Sequence, residues 1–130
     1  MSEIRVTTVS DTAGTGPVTL TKQMPLRAWV NFNGTGTIAA RDSLNLSSLT
    51  DHSAGNYEIT YTNAWNAVTY SFTGTSGKDA SGSRSTGGIT FDDFSSTPST
   101  TAHRIASRNK DSLSDVDCAF QMCQVVGDLA

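Results

Sequence analysis

The stretch Trp29–Asp51, WVNFNGTGTIAARDSLNLSSLTD, constrains the fold more than any other part of the chain. Ala28, Val30 and Phe32 alternate with Trp29, Asn31 and Asn33, the period of two that a half-buried strand requires. Asn33-Gly34-Thr35-Gly36-Thr37 then breaks the pattern with two glycines, which adopt positive φ at little steric cost and so turn the chain. A second run carries Ile38 and Ala40, and a third carries Leu44 and Leu46. The pattern predicts a hairpin that continues into a third strand. A two-residue Asn33-Gly34 turn would leave Phe32 facing Thr35. A five-residue loop over Asn33–Thr37 instead pairs Phe32 with Ile38 and Val30 with Ala40, and is preferred because a one-residue slip would turn every apolar side chain outward.

The remainder follows the same period. Ile4–Val9 and Val18–Thr21 are expected as short strands ahead of Pro25, and Tyr57, Ile59 and Tyr61 alternate cleanly with Glu58, Thr60 and Thr62. Val68, Tyr70 and Phe72 do likewise, so these last two runs are expected to pair. Gly74–Gly88 carries almost no apolar anchor and is expected to be a long surface loop. Ile89–Phe91, Ala102–Ser107 and Val116–Val126 complete the strands, the last with Val116, Cys118, Phe120 and Met122 on one side. No segment shows a convincing helical period. The expectation is an all-β chain of about eight or nine strands, a single antiparallel β-sandwich or jelly-roll-like domain with an N-terminal strand arm. Residues 1–26 form that arm and its short strands, with Ile4 and Val6 placed to pair with a neighbouring edge, and residues 27–130 form the module.

Composition limits the function. With 130 residues and 36% hydrophobic content there is room for one domain with a thin core, which favours burying surface against further copies. A net charge of −3 argues against nucleic acid. No apolar run approaches a helical membrane span, and MSEIRVTTVS lacks the apolar core of a secretory signal. Cys118 and Cys123, on opposite faces of a strand at that spacing, are expected as small buried hydrophobes. His52 and His103 lie in polar surroundings with no local group to orient an imidazole, so both are expected as exposed or hydrogen-bonding loop residues. Asp42 is expected to hold local backbone N–H groups beside Arg41 and Ser43. Asn109, Asp111, Asp115 and Asp117 alternate, but lack the glycine and distal glutamate of an EF-hand loop, so a turn of solvated acids is favoured over calcium. No catalytic set, cofactor or metal site is expected, and the chain is read as non-enzymatic. Tyr57, Tyr61, Tyr70 and Phe72 are expected in the core. Trp65, in a loop beside Asn63 and Asn66, is expected to contact a ligand or a neighbouring subunit.

The run Trp29–Thr37, followed by Arg41-Asp42-Ser43, Asn45, Ser47-Ser48, Asp51 and Gly55-Asn56-Tyr57-Glu58-Ile59, resembles a module of tail fibres and other virion proteins of marine tailed bacteriophages. Trp29, Asn31, Phe32, Asn33, Gly34, Gly36, Arg41, Asp42 and Ser43 carry the motif, and Val126-Gly127-Asp128 is similar to how such modules end. The resemblance implies a virion structural protein, a tail-fibre or tail-adaptor component for host attachment, made in the host cytoplasm and assembled as a homotrimer. Its partners would be itself, other virion proteins and a host-surface glycan or receptor. Contacts would fall on loops Ser53–Asn56, Asn63–Ala67 and Gly74–Gly88, including Trp65, Asn66, Lys78 and Arg84. Because the chain is too short for an attachment domain and shaft, a capsid decoration (cement) protein is the alternative. A lectin-like carbohydrate-binding module is the second alternative.

Overall fold

The computed structural model describes residues 26–79, 86–91, 97–109 and 112–130. Eight strands are present among them: β1 (Ala28–Asn33), β2 (Ala39–Leu44), β3 (Leu46–Ser53), β4 (Asn56–Tyr61), β5 (Ser71–Asp79), β6 (Thr86–Phe91), β7 (Ala102–Asn109) and β8 (Cys118–Val126). No helix is found among these residues, and every pairing is antiparallel. The N-terminal arm, with Ile4 and Val6, lies outside the described residues.

Hydrogen bonding runs through all eight strands in the order β2-β1-β8-β5-β6-β7-β4-β3. The two ends of this ladder, β2 and β3, are separated in the chain by Asn45 alone. The ladder therefore folds back on itself into two antiparallel layers, β2-β1-β8-β5 and β6-β7-β4-β3, as a β-sandwich. Asn45 takes φ 60°, a left-handed conformation that asparagine tolerates better than most residues. Its side chain holds the corner: Oδ1 accepts the Asn63 N–H at 2.7 Å, and Nδ2 donates to the Asn63 carbonyl at 3.1 Å. The backbone contributes as well, since Thr62 N–H donates to the Asn45 carbonyl at 3.1 Å. Asn45→Val would lose the side-chain bonds and force a β-branched residue into positive φ. We expect a loss of about 2–4 kcal/mol in denaturant unfolding, while Asn45→Gly keeps the backbone conformation and loses less.

The core forms where inward rows of both layers meet. Ala28, Val30 and Phe32 of β1 with Cys123 and Val125 of β8 face Tyr57, Ile59 and Tyr61 of β4 and Ile105 of β7. Strict alternation on β1 and β4 puts one whole face of each strand in the interior. Trp65 and Tyr70, from the connection between β4 and β5, complete one end of the core. The Trp65 ring stands 5.1 Å from that of Tyr61 and 5.3 Å from that of Tyr70. Gly127 passes so close beneath them that an added Cβ would lie 2.7 Å from Tyr70 Cβ.

Four expectations are corrected. The β1–β2 loop is five residues long but shifted by one, so Phe32 pairs with Ala40 rather than Ile38, and Val30 with Ser43 rather than Ala40. A bulge between Asn31 and Phe32 takes up the difference, and β2 is largely exposed instead of apolar on one face. Next, β4 pairs with β3 and β7, not with the Val68–Phe72 run. Val68 is exposed in a turn, and β5 begins at Ser71 beside β8. The expected loop Gly74–Gly88 is in large part strand, since β5 extends to Asp79 and β6 starts at Thr86. Residues 80–85 lie outside the described set. In β8, Gln121, Cys123 and Val125 point inward while Phe120 and Met122 point out, the reverse of the expected face beyond Cys118.

Candidate functional site

The motif residues divide into a structural node and an outer face. At the node, Asn33 Oδ1 accepts from Thr35 Oγ1 at 2.9 Å, and Asn33 Nδ2 donates to the Thr35 carbonyl at 2.7 Å. These bonds close the loop locally. Gly36 supplies positive φ at 64°. Gly34 is required for a different reason: its N–H donates to the Cys118 carbonyl at 3.0 Å, and a Cβ there would lie 2.6 Å from Tyr57 Oη. Tyr57 Oη lies 2.7 Å from the Gly34 carbonyl and 2.8 Å from Asp117 Oδ1, which also accepts the Gly55 N–H at 2.7 Å. Burial and the adjacent Asp117 carboxylate push the Tyr57 phenol well above its usual range, so it stays protonated as a donor. Phe32 meets the Tyr57 ring edge-on at 5.2 Å. The distant sequence pieces Asn33-Gly34, Gly55-Asn56-Tyr57 and Asp117-Cys118 are thus one packed unit. Asp117 is a buried-side structural acceptor rather than a solvated acid.

Arg41, Asp42 and Ser43 follow on β2. Asp42 Oδ1 accepts the Ser43 N–H at 2.8 Å. The Arg41 guanidinium donates to Asn31 Oδ1 at 3.2 Å and to the Ala119 carbonyl at 2.6 Å, and lies 4.6 Å from the Phe120 ring centre. Arg41 therefore fixes which way the Asn31 amide is turned, with its oxygen toward the guanidinium.

Asn31 and Trp29 open onto the outer face of the β1-β8-β5 surface. The register aligns Trp29 with Gln124 and Gln124 with Thr73, and it aligns Asn31 with Met122 and Met122 with Thr75. Strands about 4.8 Å apart, with same-face residues about 6.7 Å apart along each, set these six side chains in a grid of two rows. With Leu26 they line a groove of about 500 Å3, inside the range of roughly 300–1,000 Å3 usual for small-ligand clefts. Trp29 and Asn31 are half-buried, while Thr73, Thr75, Met122 and Gln124 are exposed. None of the lining side chains is charged. The one signal for this site in the sequence was a tryptophan on the otherwise polar side of the β1 alternation.

Elsewhere the predicted contact residues disperse. Trp65 is 1% exposed, so its indole fills the interior and is withheld from any ligand. Asn66 is exposed, donates its N–H to the Asp128 carbonyl at 2.7 Å, and lines a separate cavity of about 200 Å3 with Thr69, Tyr70 and Asp128. Lys78 lies in β5 rather than a loop, and Arg84 falls outside the described residues. Asp115 pairs with Arg108 at 3.0 Å, Asp111 is outside the described set, and no metal-type cluster of His, Cys, Asp or Glu occurs among the described residues.

Both histidines sit on strands, not loops. On the outer face of β3, β4 and β7, His52 Nε2 lies 3.3 Å from Glu58 Oε2 and its Nδ1 lies 3.2 Å from Arg104 Nη2; Arg104 Nε donates to Glu58 at 3.3 Å. A neutral imidazole with its proton on Nε2 satisfies both neighbours. His103, on β7, is 2% exposed among Tyr61, Tyr70 and Phe72, with Nδ1 at 2.6 Å from Tyr61 Oη. Desolvation lowers its pKa from 6.5 to about 4. The unfolded chain thus binds a proton near pH 6.5 that the folded chain refuses until about pH 4. Stability from this group is intact above pH 6.5 and is lost as pH falls through that window, by about 3 kcal/mol in all. Thermal melting of His103→Gln between pH 7.5 and 4.5 should show a lower Tm at neutral pH but a shallower acid decline than the parent.

No protein-family model, curated protein or solved structure matches this chain.

Proposed function

We propose that this chain is a non-enzymatic bacteriophage virion protein, a tail-fibre or tail-adaptor component that takes part in host attachment as a homotrimer. The supporting observation is the groove on the outer face of β1-β8-β5. Its two motif side chains, Trp29 and Asn31, stand on a strand locked from behind by the Phe32–Tyr57 contact and from the side by Arg41. A rigid sheet that presents an open aromatic and amide surface suits binding by shape, and several weak sites held in one assembly gain avidity without new contacts. The residues that carry the motif resemblance, Asn33, Gly34 and Arg41 among them, also hold this scaffold.

Immunogold labelling of particles tests the assignment. Label on tails, together with adhesion of purified protein to host cells, is the expected result. Label confined to heads, with saturable binding to undecorated capsids and none to cells, would replace it with capsid decoration.

A further inference from the structure

We propose that the β1-β8-β5 groove is a binding site for an uncharged saccharide, with Trp29 as the stacking platform and Asn31, Gln124, Thr73 and Thr75 as the hydroxyl-reading groups. The inference rests on the attachment reading above and names the chemistry of what is attached to.

Three observations select this occupant. The first is charge. No lining side chain carries a charge, and the Arg41 guanidinium, which reaches Asn31, is engaged by that amide, the Ala119 carbonyl and the Phe120 ring. A phosphate, sulfate or sialic acid would find no countercharge there, whereas a neutral polyol loses nothing by its absence. The second is the kind of polar group. Amides and hydroxyls both donate and accept, which matches the mixed demand of sugar hydroxyls. Asn31 spends its oxygen on Arg41, so it faces a ligand as an NH2 donor. The third is the arrangement. The apolar C–H face of a pyranose packs on an indole, whose ring face carries partial negative charge, while hydroxyls at the sugar's rim reach outward. Here Trp29 and Met122 lie diagonally in the grid, and the polar side chains occupy the other four places, Gln124 and Thr73 in the Trp29 row and Asn31 and Thr75 in the Met122 row. A purely apolar partner would bury those four groups without matching donors or acceptors.

The test uses the full chain and two readouts. Trp29 is the more accessible of the two tryptophans, Trp65 being enclosed. Titration with a panel of neutral disaccharides (lactose, maltose, cellobiose and N,N'-diacetylchitobiose) should shift the emission of Trp29 and protect it from acrylamide quenching. Sialyllactose and heparin fragments should do neither. Trp29→Ala should weaken binding of the best sugar by about tenfold or more, and Gln124→Ala, an exposed change with little effect on folding, by a smaller factor. Tm measured on each variant separates lost binding from lost fold. The proposal is overturned by binding that Trp29→Ala and Gln124→Ala leave unchanged, by preference for the anionic sugars, or by a panel that produces no response. It is also overturned if Trp29 in the free protein already resists acrylamide, which would show the groove filled by this chain or by another copy. Because particle labelling is independent of sugar binding, a tail label with no saccharide response would defeat this inference while leaving the attachment reading intact.

Discussion

Trp65→Ala is expected to be the most damaging single truncation in the protein, costing about 3–5 kcal/mol in urea or guanidinium unfolding. Trp65 is the largest fully buried side chain. Its ring contacts Tyr61 and Tyr70, while its backbone N–H donates to the Thr100 carbonyl at 2.8 Å and its backbone bridges to Leu129. Removing the indole leaves a void between β4, the β4–β5 connection and the carboxy-terminal segment, and Gly127 has no side chain to collapse into it. Trp65→Phe should recover much of the loss. Saccharide or cell binding should fall only in proportion to the unfolded fraction. A variant with unchanged melting but abolished binding would return Trp65 to the contact role its loop position suggested.

Gly55→Ala should be nearly as severe although it adds one methyl. Gly55 sits at φ 71° in the two-residue turn between β3 and β4, where a β-carbon alone costs about 1–2 kcal/mol. An ideal Cβ would also lie 2.5 Å from Val116 N and 2.6 Å from the Ser107 carbonyl oxygen, both backbone atoms that cannot rotate away. Relief requires the 115–117 segment to move, and that displaces Asp117 from the Gly55 N–H and Tyr57. We expect a total of about 3–5 kcal/mol, read as a fall in Tm, with loss of soluble protein at 37 °C as the extreme outcome. Gly36→Ala is the control. It shares positive φ but has nothing within 4 Å, so its cost should stay near the backbone strain alone.

The parts of this fold that could be read in advance are those where one face of a strand is wholly apolar. Tyr57-Ile59-Tyr61 and Val30-Phe32 announce their burial because side-chain period and core face coincide. β5 could not be read, because Thr73-Gly74-Thr75-Ser76-Gly77 places glycine and serine on its inward side and offers no apolar signal. What makes it a strand is the ladder to β8, a contact nearly fifty residues away. β8 misled for a related reason: the exposed face carries Phe120 and Met122, and the inward face carries Gln121 beside Cys123 and Val125. An alternation counted from Cys118 through Phe120 and Met122 picks the wrong side. Trp65 was misplaced because its neighbours in sequence are polar and its neighbours in space are not. Of the groove only Trp29, on the polar side of β1, gave a signal, because Met122, Gln124 and Thr73 come from other strands and each alone resembles an ordinary outward residue.

The corner at Asn45 has a mechanical consequence. The outermost strands of both layers are one uninterrupted piece of backbone, pinned at its midpoint to Asn63. Neither strand can peel away without dragging on the other, so amides along Ala39–Ser53 should exchange with solvent as one cooperative unit rather than fraying from two separate rims. A tensile load reaching one layer is passed to the other through this shared segment. In the proposed attachment role, which would tether the chain between two large bodies, this shared segment would stitch the outer strands of the sandwich together.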